Sequence, residues 1–212
     1  LSWEGLAPRG VARIAYSHAR MGRHDEALAV LDGMGAEQGL EPVAFVARGR
    51  ALQGKGELDA AVDAVREGLA LQPRDANARS LLVELLIERD GHAAALAAVD
   101  EWIAADPREI WPRLRKGALL REAAKPEEGL AVIEEALEIE PANIQLLIEY
   151  SSCCERLSRL DKAYEASLKA IETAPGDPYL LANVGGAANN RGAYADGAAH
   201  LERALAIHPE VG

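Results

Sequence analysis

Aromatic residues are scarce, at 4% of 212 residues with a single phenylalanine. A core made by this chain is therefore filled by Leu, Val, Ile and Ala, which the 49% hydrophobic content supplies. Ala and Leu are strong helix formers. Cysteine is nearly absent, and the two present, Cys153 and Cys154, are chain neighbours. Neighbours on a helix point in different directions, so this pair is poorly placed to bond to itself. It implies no disulfide framework and reads as two small buried apolar residues. Positive charge is in deficit: 23 Lys and Arg face 34 Asp and Glu, for a formal net charge of −11. That argues against a nucleic-acid backbone as main partner, since such proteins carry a basic stripe, and against an anionic membrane surface. No apolar run is long enough to span a bilayer and no signal peptide is visible. The expectation is no membrane insertion and a cytoplasmic location. The first residue is Leu1 rather than methionine, so the chain is expected to be a fragment of a longer one, with a leader or a preceding domain removed.

Proline is present at its ordinary frequency, about 5%, yet Pro73, Pro107, Pro141, Pro175 and Pro209 are evenly spaced by 34 residues. A fixed period of this length marks a stacked repeat. The ruler gives units 8–41, 42–75, 76–109, 110–143, 144–177 and 178–211. Each reads as one helix, a short turn, a second helix and a stop, because proline lacks a backbone donor and pushes its predecessor out of helical geometry. Turns are expected at Gly22, Gly56, Asp90–Gly91, Ala124–Lys125, Ser158 and Gly192, and Pro126 at a helix start.

Two columns of the repeat are small almost throughout: Ala15, Gly49, Val83, Gly117, Ser151, Gly185 in the first helix and Ala27, Ala61, Ala95, Gly129, Ala163, Gly197 in the second. Small residues allow two helices to cross closely. Leu31, Val65, Val99, Ile133 and Leu201 form a large apolar column with Ser167 as its exception, and Leu69, Ile103, Leu137, Ile171 and Leu205 another, with Gly35 as its exception. Both lie on the face of the small positions. The first unit is irregular: Gly39 replaces the stop proline, and Gly33 and Gly35 shorten its second helix, leaving a loop up to Pro42. Arg48, Arg79, Arg113 and Lys116 occupy columns that are apolar elsewhere and are expected to lift their charges to water over buried stems. Trp102 stands where the last three units have Ala, and His18 in a core column is expected to be packed and satisfied.

This pattern, clearest in Gly49, Leu52, Gly56, Ala61, Leu69 and Pro73, resembles the tetratricopeptide repeat family over residues 8–211. The resemblance implies an all-α solenoid, a right-handed superhelix of about six helix pairs, with a concave groove lined by first helices. It implies a protein-interaction scaffold that binds a partner peptide or protein segment in that groove. Some members use a carboxylate clamp with lysines at set places; here Val46 and Ala12 hold that column, so a chaperone-tail adaptor is not expected. The alternative is a substrate-holding or regulatory region of a larger enzyme, of glycosyltransferase or sulfotransferase type, whose catalytic domain lies outside the chain. Many such arrays end in a polar capping helix; none follows unit 178–211, and residues 1–7, with Leu1 and Trp3, read as the tail of an earlier helix. Self-association through uncapped ends is a further expectation.

No residues are expected to be catalytic, to hold a cofactor or to bind a metal. The glycine pairs Gly33–Gly35 and Gly54–Gly56 follow no strand, so the context of a phosphate loop is missing. The five histidines show no metal-ligand spacing, and nothing joins a nucleophile, a base and an orienting group. Candidate groove residues follow from helical spacing. Arg9, Arg13, Tyr16 and Arg20 recur at intervals of three and four, and Arg50 holds the place of Tyr16 one unit on. Together they make a basic patch suited to an acidic or carboxylate-ended segment. Glu84 and Glu88 turn the groove acidic; Trp111, Arg115 and Glu122 form a mixed strip, with Trp111 a possible anchor. Tyr179, Asn183 and Asn190 line the last unit, where asparagines can bond a peptide backbone.

Overall fold

The computed structural model describes residues 7–34 and 41–210. Its elements are α1 (Pro8–Arg20), α2 (His24–Asp32), α3 (Pro42–Gly54), α4 (Leu58–Leu71), α5 (Ala76–Asp90), α6 (His92–Ala105), α7 (Ile110–Glu122), α8 (Pro126–Ile139), α9 (Ile144–Arg156), α10 (Leu160–Thr173), α11 (Pro178–Asn190) and α12 (Tyr194–Ile207). No strand occurs among the described residues. The odd-numbered helices begin at 8, 42, 76, 110, 144 and 178, and the even-numbered ones at 24, 58, 92, 126, 160 and 194. Both series keep the 34-residue step throughout.

The local causes are visible. α4, α6, α8, α10 and α12 each end two residues before a stop proline. Two residues after three of those prolines, Asp75, Asn143 and Asp177 cap the next helix, each Oδ1 accepting from two backbone N–H groups at 2.8–3.2 Å. Glu109, in the same column, makes no cap; its carboxylate instead accepts from the Trp102 indole N–H at 2.7 Å. That bond satisfies the polar atom of a buried tryptophan. The hairpin turns hold one residue at positive φ, including Ala124 (58°) and Ser158 (56°) where other repeats have glycine. In the third hairpin this residue is Gly91, one position late, because α5 runs through Asp90.

Packing divides the chain into two compact units, residues 1–98 and 99–212, with the boundary inside α6. In the first unit α1 packs on α2 and α3, and α3 on α4 and α5. In the second, α7 packs on α8 and α9, α9 on α10 and α11, and α11 on α12. Each unit thus sets first helices side by side, with second helices behind them. Both small columns are buried along their whole length. A Cβ on Gly49 would meet Val65 at 2.5 Å, one on Gly117 would meet Ile133 at 2.5 Å, and one on Gly185 would meet Leu201 at 2.7 Å. The small column therefore makes room for the large one.

Several expectations need correction. Arg48, Arg79, Arg113 and Lys116 do not simply extend into water. Arg48 pairs with Asp32 at 2.9 Å and Lys116 with Asp100 at 2.7 Å, while Arg79 and Arg113 donate to the carbonyls of Pro73 and Glu109. His18 is half-buried, its Nδ1 3.0 Å from Glu26 Oε2, near enough for an ion pair but not aligned as a hydrogen bond. Helix α2 ends early, as its glycines require, with nine residues against the fourteen of α4. Leu1, Trp3, Gly35 and Gly39 lie outside the described residues.

Candidate partner-binding site

In the first unit, Arg9, Arg13 and Tyr16 come together as the spacing requires. With Val43, Val46 and Asn77 they line a cleft of about 710 Å³ that opens on the first-helix face. Among the described residues no carboxylate lies within ion-pair distance of Arg9 or Arg13. Tyr16 packs its ring against the Val11, Ala12 and Ala15 cluster beneath. Glu41 and Asp75 also line the cleft, and Asp75 Oδ1 is engaged in capping α5. Arg20 is exposed in the last turn of α1 and does not reach this cleft.

Arg50 does not belong to the basic patch. It ion-pairs with Glu84, the residue of its own column one repeat on, and donates to Gln53 at 3.2 Å. Gln53 in turn donates to Glu88 at 3.0 Å. The expected acidic strip is thus consumed in tying α3 to α5.

In the second unit, Trp111 is 56% exposed and lines a shallow cleft of about 380 Å³ with Arg108, Leu114, Glu140 and Gln145. Arg115 is half-buried and is not among that lining; Glu122 is exposed. Tyr179 is 63% exposed, its ring 6.1 Å from that of His208. Asn183 and Asn190 share a pocket of about 210 Å³ with Ser151, Ser167, Glu155 and Gly186. Asn190 is not free to read a peptide with both amide protons, because it donates to Glu155 Oε1 at 3.1 Å.

Three features escaped the sequence. Arg121 on α7 grips Glu149 on α9 at 2.6 and 3.4 Å, with the carboxylate largely buried. That carboxylate holds the guanidinium above its ordinary range. Arg191 lies over the Tyr164 ring at 4.0 Å. Ser167, the exception in the large column, is hydrogen-bonded to Ser151, its partner in the small column, at 3.0 Å. The columns did carry this last signal, as two substitutions in one repeat. Gly186 is unlike the other helical glycines of this unit: nothing lies within 4 Å of a Cβ built on it, although a mid-helix glycine is about 1 kcal/mol less favourable than alanine.

Among the described residues no group of three His, Cys, Asp or Glu side chains comes together as metal ligands, and no helix is long and apolar enough to cross a membrane. A profile described as tetratricopeptide repeat matches residues 8–170. The chain belongs to the tetratricopeptide repeat family. No curated protein matches its sequence. Among solved structures, PilW, a widely conserved type IV pilus biogenesis factor, is similar with a TM-score of 0.71 at 17% identity, over 97% of this chain and 96% of PilW. MamA gives 0.61 at 16% identity, over 80% of this chain and 92% of its own. YrrB, a tetratricopeptide repeat protein with an unusual peptide-binding site, gives 0.56 at 17% identity, over 82% and 90%. At these identities the likeness is one of fold. Tetratricopeptide repeats are in general protein-interaction scaffolds rather than catalysts.

Proposed function

We propose that this tetratricopeptide repeat chain is an interaction scaffold whose first-helix face holds an acidic segment of a partner protein. One observation carries the reading: Arg9 and Arg13 line a large open cleft with no carboxylate in ion-pair distance among the described residues, on a protein with carboxylates in excess. Elsewhere on the first helices the guanidiniums of Arg50 and Arg121 are matched by internal acids. Guanidinium groups bind carboxylates through charge-assisted, often bidentate bonds. The aliphatic floor of Val43 and Val46 and the Tyr16 ring would cover the apolar parts of the segment. The mechanism is equilibrium binding with no chemical step. A pre-formed surface on rigid helices lowers the ordering cost on the protein side, and the acidic remainder of the surface disfavours a nucleic-acid competitor.

The test is fluorescence anisotropy with a labelled ten-residue peptide of alternating Glu and Leu, against the same peptide with Gln for Glu. The acidic peptide should bind about tenfold or more tightly, since one charge-assisted bond lost changes affinity by roughly that factor. Arg9→Glu with Arg13→Glu should abolish the difference, while Arg20→Glu should leave it. Equal binding of both peptides, or an unaffected double variant, refutes the acidic segment.

A further inference from the structure

The pocket of the second unit begins with the paired column exception. Where other repeats set a large apolar residue against a small one, Ser167 faces Ser151. The missing volume opens as a pocket of about 210 Å³ on the face of α9 and α11. Gly186 lines it, in the column that carries Tyr16, Arg50, Glu84, Ala118 and Ser152 in earlier repeats. No neighbour demands a glycine there, as open space surrounds a Cβ built on it. The unfavourable mid-helix glycine instead leaves the pocket uncovered, a cost that close approach of something outside the chain explains.

Beside the amide groups of Asn183 and Asn190, the lining carries a set of acceptors. Ser151 Oγ and Ser167 Oγ each lie 3.0 Å from the Ala163 carbonyl and 3.0 Å from one another. Their two protons satisfy two of these three contacts, so both donors are spent inward and lone pairs remain. Glu155 Oε1 accepts from Asn190, and Oε2 has no hydrogen bond among the described residues. Glu155 is also the one charged residue in the lining, while Ile148, Leu180 and Ala187 supply an aliphatic wall. A lining with one negative charge, hydroxyl acceptors and an aliphatic wall matches a cation on an apolar stem.

We propose that this pocket takes the side chain of a lysine from a bound partner protein, with its ammonium at Glu155 Oε2 and the serine hydroxyls. The inference rests on the reading that the chain is an interaction scaffold for a partner protein. Lysine is preferred to arginine because a guanidinium fork needs both carboxylate oxygens, and Asn190 already occupies one; an ammonium is a point charge with three donors. The four-carbon stem runs along Ile148 and Leu180.

The probe is N-acetyl-lysine methylamide, titrated into the whole ¹⁵N-labelled chain and followed by NMR, beside its norleucine and arginine counterparts. Saturable shifts are expected for the Gly186 backbone amide and the Asn183 and Asn190 side-chain amides, with norleucine about tenfold or more weaker, since the charge-assisted bonds are lost. Glu155→Gln should weaken the lysine compound by a similar factor. Gly186→Leu should eliminate its response without lowering the thermal midpoint, which separates a filled pocket from an unfolded one. Equal responses to lysine and norleucine, tighter binding of arginine, or an unaltered response in Gly186→Leu would overturn the proposal. The Arg9→Glu, Arg13→Glu variant should keep the lysine response; if the unmutated chain answers lysine but fails to distinguish acidic from neutral peptides, the pocket stands and the acidic cleft falls, and the converse result sinks the pocket alone.

Discussion

Ala124 and Ser158 hold the left-handed backbone conformation that Gly22, Gly56 and Gly192 hold in sister repeats. A Cβ in that region is strained. Ala124→Gly and Ser158→Gly should each raise stability by roughly 0.5 kcal/mol, the relief of strain outweighing the added freedom of the unfolded chain; the midpoint of urea unfolding checks the sign. These turns were legible without glycine because the repeat register located them. Cysteine behaviour was legible too. Cys153 and Cys154 are buried and free, and burial, aided by the nearby Glu149 carboxylate, pushes the Cys153 thiol up to about 12. A raised thiol pKa means that the unfolded chain loses this proton first, so the stabilisation is complete below about pH 9 and is lost as the pH climbs toward 12. A disulfide reagent at pH 8 should leave both thiols unmodified in the native protein and titrate both in denaturant. The Ser151–Ser167 bond was not legible as a contact, because a column states residue type at one position and not what faces it.

Between elements, the polar residues of the first helices mostly bind one another. Arg50–Glu84 and Gln53–Glu88 join α3 to α5, Arg121–Glu149 joins α7 to α9, and Asn190–Glu155 joins α11 to α9. Helical spacing correctly put Arg9, Arg13 and Tyr16 on one face, since that needs only the geometry of a single helix. It could not separate a residue offered to solvent from one tied to the neighbouring helix, which depends on how adjacent helices are rotated. Arg50 is the clearest case: its column placed it beside Tyr16, and the acid facing it came from the same column one repeat later. Arg121→Ala should cost roughly 2 kcal/mol or more, because it strands a largely buried carboxylate. Arg121→Met with Glu149→Leu should recover most of that loss, as apolar replacement of both partners removes the desolvation cost along with the bond. A double-mutant cycle by urea unfolding measures the coupling.

Within each unit, the helix pairs in contact among the described residues are sequence neighbours or consecutive first helices. Stability in such a chain is close to a sum of repeat and nearest-neighbour contributions, so damage should stay where it is made. Gly185→Leu is a direct probe. A Cβ at this position would already lie 2.7 Å from Leu201 Cγ and 3.1 Å from the Gly197 carbonyl, so α11 and α12 cannot keep their present separation. Overpacking of this kind costs roughly 1–3 kcal/mol. Hydrogen exchange read by mass spectrometry should show faster exchange in α11 and α12, a smaller change in α9 and α10, and none in α1 to α4. An even rise in exchange along the chain would mean that the protein opens as one cooperative body, and the additive view of its repeats would fail. The small column argues against that outcome: the clash is with the second helix of the same repeat, and among the described residues α9 and α10 are the helices packed on the other side of α11.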